Sequence, residues 1–406
     1  MKWERARLGE FIAVKHGYAF KGEFFTDSGD HVLLTPGNCY ESGGLKLRGD
    51  KEKFYSGEFP DEYLLHQGDM LIVMTDLVGT APVLGGAFLI PDDGRYLHNQ
   101  RLGLVTVTDE SRLEKGYLYW LLNSHDYRGQ VRGSASGATV RHTSPGRVKN
   151  VAVRLPSDLD YQREVAQSLF AYDDLIDNNR RRIKLLEDSV RLLFDEWFVK
   201  GHKAGWPTST LQQLCADEAG IQTGPFGSQL HQSDYAEEGV PVVMPKDLAT
   251  MKIDTQSIAR IPEHLADELG RHRMQYGDIV FGRRGEIGRR AYIGRRQIGY
   301  FCGTGCLRLR PSAERVNPRF LFEALRAPAV AGDIASRAKG STMANLSAGA
   351  MQAVTVPVPP RQLQDRFAAF VEDASEQVDT LDEQSRKLRT ARDLLLPRLM
   401  SGELTV

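Results

Sequence analysis

The sequence predicts an α+β fold in which two repeated, mixed α/β domains alternate with two long helices. Its 406 residues are enough for two or three domains. Motifs of the first half recur in the second half, and two glycine-free segments carry a helical pattern of apolar residues. We therefore expect one domain over residues 1–158, a helix over 159–200, a second domain over 201–360, and a second helix with a C-terminal tail over 361–406.

The duplication is the strongest feature of the sequence. No single match is strong, but the matches keep one order, with an offset of 203 residues at both ends and 209 in the middle. This shared order indicates that each half repeats one architecture and that one half carries a short insertion. The matched positions are Leu8 with Leu211, Gly17 with Gly220, 67–72 with 276–281, 117–122 with 320–325, and 151–156 with 354–359.

The first part of each half is rich in glycine, proline and β-branched residues, which predicts short strands between turns. Residues 70–74 and 278–281 are such strands. Residues 117–123 and 319–326 have the pattern of short helices.

The two long segments each keep a heptad pattern over about three repeats, although Asn179, Ser385 and Arg392 interrupt it. This pattern predicts that the helices pair, and the two-fold pseudosymmetry of a repeat makes the expected coiled coil antiparallel. The alternative is that each helix packs only on its own domain. The predicted seam consists of Ile176, Asn179, Ile183, Leu186, Val190, Leu193, Val378, Leu381, Ser385, Leu388, Arg392 and Leu395.

Composition excludes several classes of protein. Lysine and arginine number 52 and aspartate and glutamate 53, so a net charge of −1 excludes a polycation that holds nucleic acid by bulk charge. Apolar runs fall far short of the ~20 residues of a membrane helix, and no signal segment is apparent, so we expect a cytoplasmic protein without a membrane partner. Cys302 and Cys306 lack a second ligand pair nearby, so we expect no metal site.

Common catalytic motifs are missing from the sequence. It contains no Gly-Lys dipeptide of a P-loop, no His-Glu-x-x-His and no Gly-x-Ser-x-Gly. It also lacks the Asn-Pro-Pro-Tyr or Asp-Pro-Pro-Tyr loop that an adenine methyltransferase uses. We therefore expect no catalytic residue and no cofactor in this chain.

Basic residues concentrate in a few loops. Residues 128–154 hold six basic residues and no acidic one, and residues 271–296 hold eight arginines against two acids. Glycine permits close backbone approach, hydroxyls donate to phosphates, and arginine reads guanine, so these loops are candidates for DNA contact. For any single arginine, a solubilising role is an equal alternative. The candidate DNA-binding residues are Arg132, Ser134, Ser136, Thr139, Arg141, His142, Lys246, Arg283, Arg284, Arg289, Arg290, Lys339, Ser341 and Thr342.

In order along the chain, several short motifs resemble those of the specificity subunit of type I restriction–modification systems. They are Thr-Gly-Pro-Phe-Gly-Ser at 223–228, Gly-Asp-Ile-Val-Phe-Gly-Arg-Arg-Gly-Glu-Ile-Gly at 277–288, Pro-Val-Pro-Pro at 357–360, the aromatic cluster at 193–199 and the C-terminal motif at 394–404. The first domain departs from the pattern, because residues 17–22 and 74–79 replace the Gly-Pro-Phe-Gly and Arg-Gly forms.

The resemblance implies a non-catalytic subunit that reads double-stranded DNA. Each domain would be a target recognition domain for one half of a split target, and the helices would set the unread gap. Two modification subunits would dock and methylate adenine with S-adenosylmethionine, and restriction subunits would use ATP and magnesium. Candidates for the partner interface are Phe170, Phe194, Trp197, Phe198 and Phe367, whose alternative role is packing within their own domains.

The sequence is also compatible with two other functions. One is a duplicated coiled-coil scaffold that recruits proteins and binds no DNA. The other is a stand-alone nuclease, against which the missing motifs argue.

Overall fold

The computed structural model describes residues 2–201, 205–216, 219–226, 229–248, 251–255, 257–284, 287–338 and 345–405. Helices and short strands alternate in it, as expected. Two compact units divide the chain: unit 1 comprises Met1–Asn179 and Glu383–Val406, and unit 2 comprises Arg180–Asp382. Each unit therefore holds one globular part and a segment of each long helix.

Twelve strands form the sheets of unit 1 in its described part. They are β1 (Trp3–Arg7), β2 (Ile12–His16), β3 (Phe25–Thr26), β4 (Val32–Leu33), β5 (Phe54–Tyr55), β6 (Met70–Val73), β7 (Thr75–Asp76), β8 (Ala87–Leu89), β9 (Tyr96–Leu97), β10 (Leu102–Val107), β11 (Arg141–His142) and β12 (Ala152–Pro156). The central antiparallel sheet has the order β2-β10-β6-β8, a second sheet has the order β3-β5-β4-β9, and β1 pairs with β12 and β7 with β11. The start of the chain is thus tied to the end of the globular part.

Strand β6 separates two cores in unit 1. Met70 and Ile72 point into a core shared with the helices, whereas Leu71 and Val73 point into a core shared with the second sheet. Because both faces are covered, the strand reads as a continuous apolar run rather than as an alternating one.

Nine strands form the sheets of unit 2 among its described residues. They are β13 (Thr208–Thr210), β14 (Ile221–Thr223), β15 (Val240–Val243), β16 (Ala259–Ile261), β17 (Ile279–Gly282), β18 (Arg290–Tyr292), β19 (Phe301–Cys302), β20 (Cys306–Leu309) and β21 (Thr355–Pro357). The central antiparallel sheet has the order β14-β20-β17-β18, a second sheet has the order β16-β15-β19, and β13 pairs with β21. Strand β17 also faces two cores, with Phe281 in one and Val280 in the other.

Short helices pack against the sheets of both units. Unit 1 has α1 (Lys115–Asn123), α2 (His125–Ser134) and α3 (Pro145–Lys149); unit 2 has α5 (Leu211–Leu214), α6 (Glu263–Glu268), α7 (Pro318–Ala324), α8 (Pro328–Arg337) and α9 (Ala348–Gln352). Helix α7 begins where a sequence signal places it, because Pro318 follows Asn317, whose side chain accepts hydrogen bonds from the first-turn N–H groups. The helices predicted near residues 117–123 and 319–326 are confirmed.

The long helices are α4 (Leu159–Phe194), which continues as a π-helical segment over Asp195–Lys200, and α10 (Arg361–Ser401). In unit 1, the Tyr161 hydroxyl donates to the carbonyl of Leu399 at 3.0 Å, and Arg392 forms an ion pair with Asp173. Residues near the start of α4 thus meet residues near the end of α10. The two helical segments of this unit therefore run in opposite directions.

The expected seam positions are buried or half-buried throughout both helices. In unit 2, Ile183, Val378 and Leu381 form a small apolar cluster of their own. Polar residues at the seam are also buried, and burial of Arg392 is compensated by Asp173, whose charge helps to raise the pKa of the guanidinium. In each unit, the segments of both helices contact the globular part as well as each other.

All four cysteines are buried, and burial raises the pKa of the Cys39 and Cys302 thiols to about 12. Among the described residues, no helix is both long enough and apolar enough to span a membrane.

Candidate nucleic-acid interface

Three loops of unit 1 meet at one end of its central sheet. Strand β10 runs antiparallel to both β2 and β6, so its first residues lie beside the last residues of those strands: Gly103 pairs with His16, and Leu102 with Val73. Residues 17–20, 74–79 and 98–101 consequently share one edge. We call these three segments the loop end of unit 1.

Backbone hydrogen bonds tie the loop end of unit 1 together. The N–H of Tyr18 donates to the carbonyl of His98, and the N–H of Met74 to that of Arg101, both at 2.9 Å. A fourth segment joins them, because β11 pairs with β7 and the N–H of Thr143 donates to the carbonyl of Met74 at 2.9 Å. The Gly/Ser segment 132–142 is thereby brought to the same edge.

Unit 2 has the corresponding arrangement in residues 224–226, 283–284 and 303–305, which we call its loop end. The N–H of Arg283 donates to the carbonyl of Gly305 at 2.9 Å, and the Thr304 hydroxyl donates to the carbonyl of Pro225 at 3.1 Å. The N–H of Leu346 donates to the carbonyl of Arg283 at 2.9 Å, which places Leu346 beside this loop end.

One glycine in each unit permits this convergence. A Cβ atom at Gly17 would lie 2.1 Å from the carbonyl oxygen of Asn99, and one at Gly224 would lie 2.0 Å from that of Gly303. Both glycines directly follow the first strand of the central sheet. The backbone therefore matches Gly17 with Gly224, and the match of Gly17 with Gly220 expected from the sequence offset is wrong.

The structure places the unit 1 candidates in one cluster, but several of them hold the loop itself. The Arg141 guanidinium donates to the carbonyl of Arg132 at 2.8 Å, and the Ser136 hydroxyl accepts from Arg147 at 2.8 Å. His142 lies 3.1 Å from the hydroxyl of Thr75. The Ser134 hydroxyl donates to its own helix, and Thr139 is exposed.

Two arginines dominate the loop end of unit 2. Arg284 is exposed, whereas Arg283 is half-buried and donates to the side-chain oxygen of Asn345 at 3.3 Å. Burial and the charge of Arg284 lower the pKa of the Arg283 guanidinium. Lys246 is exposed on a turn whose first residue, Pro245, packs beside Gly305. Arg289 is exposed after the turn.

Arg290 does not belong to this surface, so its assignment as a DNA-binding residue is corrected. Only 5% of the residue is exposed, and its guanidinium lies 5.8 Å from the ring centre of Phe281 and 5.5 Å from that of Phe322. Burial lowers the pKa of this guanidinium to about 10. Arg290 is the first residue of β18, and its side chain points to the core face of that strand. Lys339, Ser341 and Thr342 lie outside the described residues.

The structure adds residues that the sequence did not single out. Arg101 is exposed and sits beside Met74, and Leu77 and Val78 are exposed at the tip of the turn after β7. Antiparallel pairing of the strands at 70–73 and 102–107 is the signal that would have placed Arg101 here. Nothing in the local sequence marks Leu77 and Val78, because apolar residues next to a strand read as part of its core.

The aromatic residues proposed for a partner interface are mostly core residues, which corrects that expectation. Phe194, Phe198 and Phe367 are buried together in unit 2, with ring centres 5.1–5.7 Å apart. Half-buried Trp197 packs against this cluster, and half-buried Phe170 stacks on Tyr119 in unit 1. These rings therefore pack within their own units and do not form an exposed surface for a partner.

Other apolar side chains of the long helices are exposed. Leu185 and Leu192 are 66% and 62% exposed and lie seven residues apart, which places them on one face of α4. In the part of the chain that is described, no group of three or more histidine, cysteine, aspartate or glutamate side chains is arranged to hold a metal ion.

Comparison with known proteins identifies the class to which this fold and these loops belong. Residues 1–188 and 230–389 match the family described as the type I restriction modification DNA specificity domain, and the chain therefore belongs to this family of specificity subunits.

Individual relatives are distant but cover most of the chain. The specificity subunit of the type I restriction enzyme EcoBI from Escherichia coli is 20% identical over 429 residues, covering 99% of this chain and 86% of that protein. The MjaIX specificity subunit from Methanocaldococcus jannaschii is 23% identical, covering 75% of this chain and 72% of its own length. The crystal structure of an S subunit from M. genitalium aligns with a TM-score of 0.63 at 19% identity, covering 98% of this chain and 96% of that one, which supports the fold.

The close approach at Gly17 predicts a specific cost of substitution. Gly17→Ala should lower the free energy of unfolding by about 2–4 kcal/mol, because the added methyl group overlaps the carbonyl of Asn99. Gly22→Ala is the control, since a Cβ there meets nothing within 4 Å. Chemical denaturation of both variants checks this, and equal stability of the two would contradict the role assigned to Gly17.

Proposed function

We propose that this specificity subunit reads a split double-stranded DNA target, with one half-site for each unit. The observation that carries the proposal is the convergence of glycine-rich loops and cations at one end of the central sheet in both units. Matches of the family to two stretches of the chain support two recognition domains within one duplicated architecture.

The loop ends suit the major groove of DNA. Exposed guanidinium groups recognise phosphates and the guanine edge, and the glycine positions let the backbone approach a groove closely. In unit 2, Arg284 is the exposed group, and Arg283 is oriented by Asn345. In unit 1, Arg101 and Arg132, which lie beside or within the Gly/Ser segment, are the arginines that would contact DNA.

The long helices act as the spacer between half-sites and form an antiparallel coiled coil. Helix α10 has 41 residues, which at ~1.5 Å per residue is about 60 Å. One turn of DNA is about 34 Å, so a spacer of this length accommodates a gap between the half-sites.

Catalysis belongs to the partner subunits in this proposal. Two modification subunits dock on the specificity subunit and methylate adenine with S-adenosylmethionine after flipping the base. Restriction subunits supply the steps that depend on ATP and magnesium. The net charge of −1 supports such division of labour, because a subunit with no excess of cations depends on partners to hold DNA firmly.

The exposed leucines of α4 are the docking surface that we assign to a modification subunit. Leu185 and Leu192 are unused by the apolar clusters of unit 2, although their neighbours Leu186 and Leu193 pack against its core. Leaving two leucines in water forgoes the free energy of burying them, which a helical partner would recover.

Arg284→Ala tests the reading of two half-sites. In the complex with its modification subunits, this variant should relax the preferred base at one position of one half-site, at a cost of about 5- to 150-fold in binding. Arg295→Ala, a loss of one exposed arginine in the groove beside the long helices, should leave the motif unchanged. Modified-base sequencing reads both results. A motif without a gap would contradict the reading of two half-sites. Absence of salt-sensitive DNA binding would favour the scaffold hypothesis.

Substitution of the exposed leucines tests docking. Leu185→Glu and Leu192→Glu should each weaken association with the modification subunit by at least about tenfold, because each removes an apolar contact and buries a charge. Lys184→Glu, about 100° around the helix, is the control. Co-purification measures association, and circular dichroism verifies folding. Full association of folded double variants would exclude this surface.

A further inference from the structure

The turn after β7 in unit 1 presents two large apolar side chains to solvent. Leu77 is 56% exposed and Val78 is 53% exposed. Both lie at the loop end, next to the segment that carries Arg132 and Arg141. We call this pair the apolar tip.

A buried carboxylate fixes the shape of the apolar tip. Asp76 is 3% exposed, and its two oxygens accept the N–H groups of Val78 at 3.0 Å and Val83 at 2.9 Å. Within the turn, Ala81 is buried with a φ of 51°, a left-handed conformation that is costly for a residue other than glycine. The fold thus holds strained backbone at the base of the turn, and the apolar tip is presented in a defined geometry.

The two units differ at this point of the loop end. The N–H of Met74 donates to Arg101, which precedes β10, and the N–H of Arg283 donates to Gly305, which precedes β20. Met74 and Arg283 therefore occupy the same backbone position. Beyond it, unit 2 continues with exposed Arg284, whereas unit 1 continues with a buried threonine and aspartate and then the apolar tip.

The surroundings of the apolar tip favour DNA as its occupant. A Cβ atom at Gly79 would lie 3.4 Å from the carbonyl of Ala138, so the tip adjoins the Gly/Ser segment. Arg141 is paired in register with Asp76, and exposed Arg101 lies across the loop end. A small apolar projection among cations suits a groove lined by phosphates.

We propose that Leu77 and Val78 recognise the C5-methyl group of thymine in the half-site read by unit 1. This inference rests on the proposed function, and it names the chemical group that the loop end of unit 1 recognises in its half-site. Thymine is the base that offers an apolar group in the major groove, whereas the other base edges offer hydrogen-bond donors and acceptors. Leucine and valine cannot pair with those polar groups, so contact with the methyl group is their direct means of selecting a base.

The experiment uses the complex of this chain with its modification subunits. Modified-base sequencing first defines the motif, and Arg284→Ala identifies the half-site of unit 2 by altering it alone. In the other half-site, each thymine is then replaced in turn by deoxyuridine, which lacks only the methyl group. Binding is measured for the native chain, Leu77→Ala, Val78→Ala and the control Ile298→Ala, whose side chain is 55% exposed in unit 2.

We expect one deoxyuridine to weaken binding by the native chain and by Ile298→Ala about fourfold, the value of one buried methyl group. The same deoxyuridine should have little effect on binding by Leu77→Ala or Val78→Ala, because the contact is already absent. Native binding that is insensitive to every deoxyuridine, or an equal loss in all four chains, would overturn the inference while leaving the proposed function intact. A half-site without thymine on either strand would also overturn it. Absence of any split methylated motif would instead refute the proposed function.

Discussion

Both globular parts are packed around the long helices, whose apolar side chains are buried in the cores of the two units. In unit 1, Leu169 of α4 and Leu399 of α10 share a core with Met70 of the central sheet. In unit 2, Phe194 of α4 and Phe367 of α10 share a core with Phe281. Each loop end is therefore held rigidly with respect to the helical segments of its own unit. This attachment is what allows a helix, if it acts as a spacer, to determine where a loop end meets DNA.

Much of this organisation could be predicted from the sequence, because the spacing of apolar residues repeats with the period of a helix or a heptad. The heptad positions of the long helices are buried or half-buried, and the short helices near residues 117 and 319 form where apolar spacing and capping residues place them. The partner of Arg392 could not be predicted in this way. Asp173 lies 219 residues away in the sequence, and their contact depends on how two separate helices align.

Only some residues of the interface could be predicted. The sequence shows which residues are charged, but it does not show whether a charged side chain on a strand points to solvent or to the core. Arg283 and Arg284 lie at the loop end, but Arg290, six residues further on, begins a strand and turns into an aromatic core. The phenylalanines of the helices likewise fill cores instead of forming a partner surface. Gly17 matched Gly220 by sequence offset and Gly224 by backbone position, since only the hydrogen-bonded strand ends define equivalence.

Shortening both helices by one heptad and sequencing the methylated DNA tests whether the helices set the distance between the half-sites. Deleting residues 178–184 and 381–387 preserves the seam pattern and removes about 10 Å from each helix. At ~3.4 Å per base pair, a spacer role of the helices predicts a gap that is shorter by about three base pairs, with both half-sites unchanged. An unchanged gap would contradict the role of the helices as a spacer. Altered half-sites in a folded, methylating complex would contradict the assignment of base reading to the loop ends.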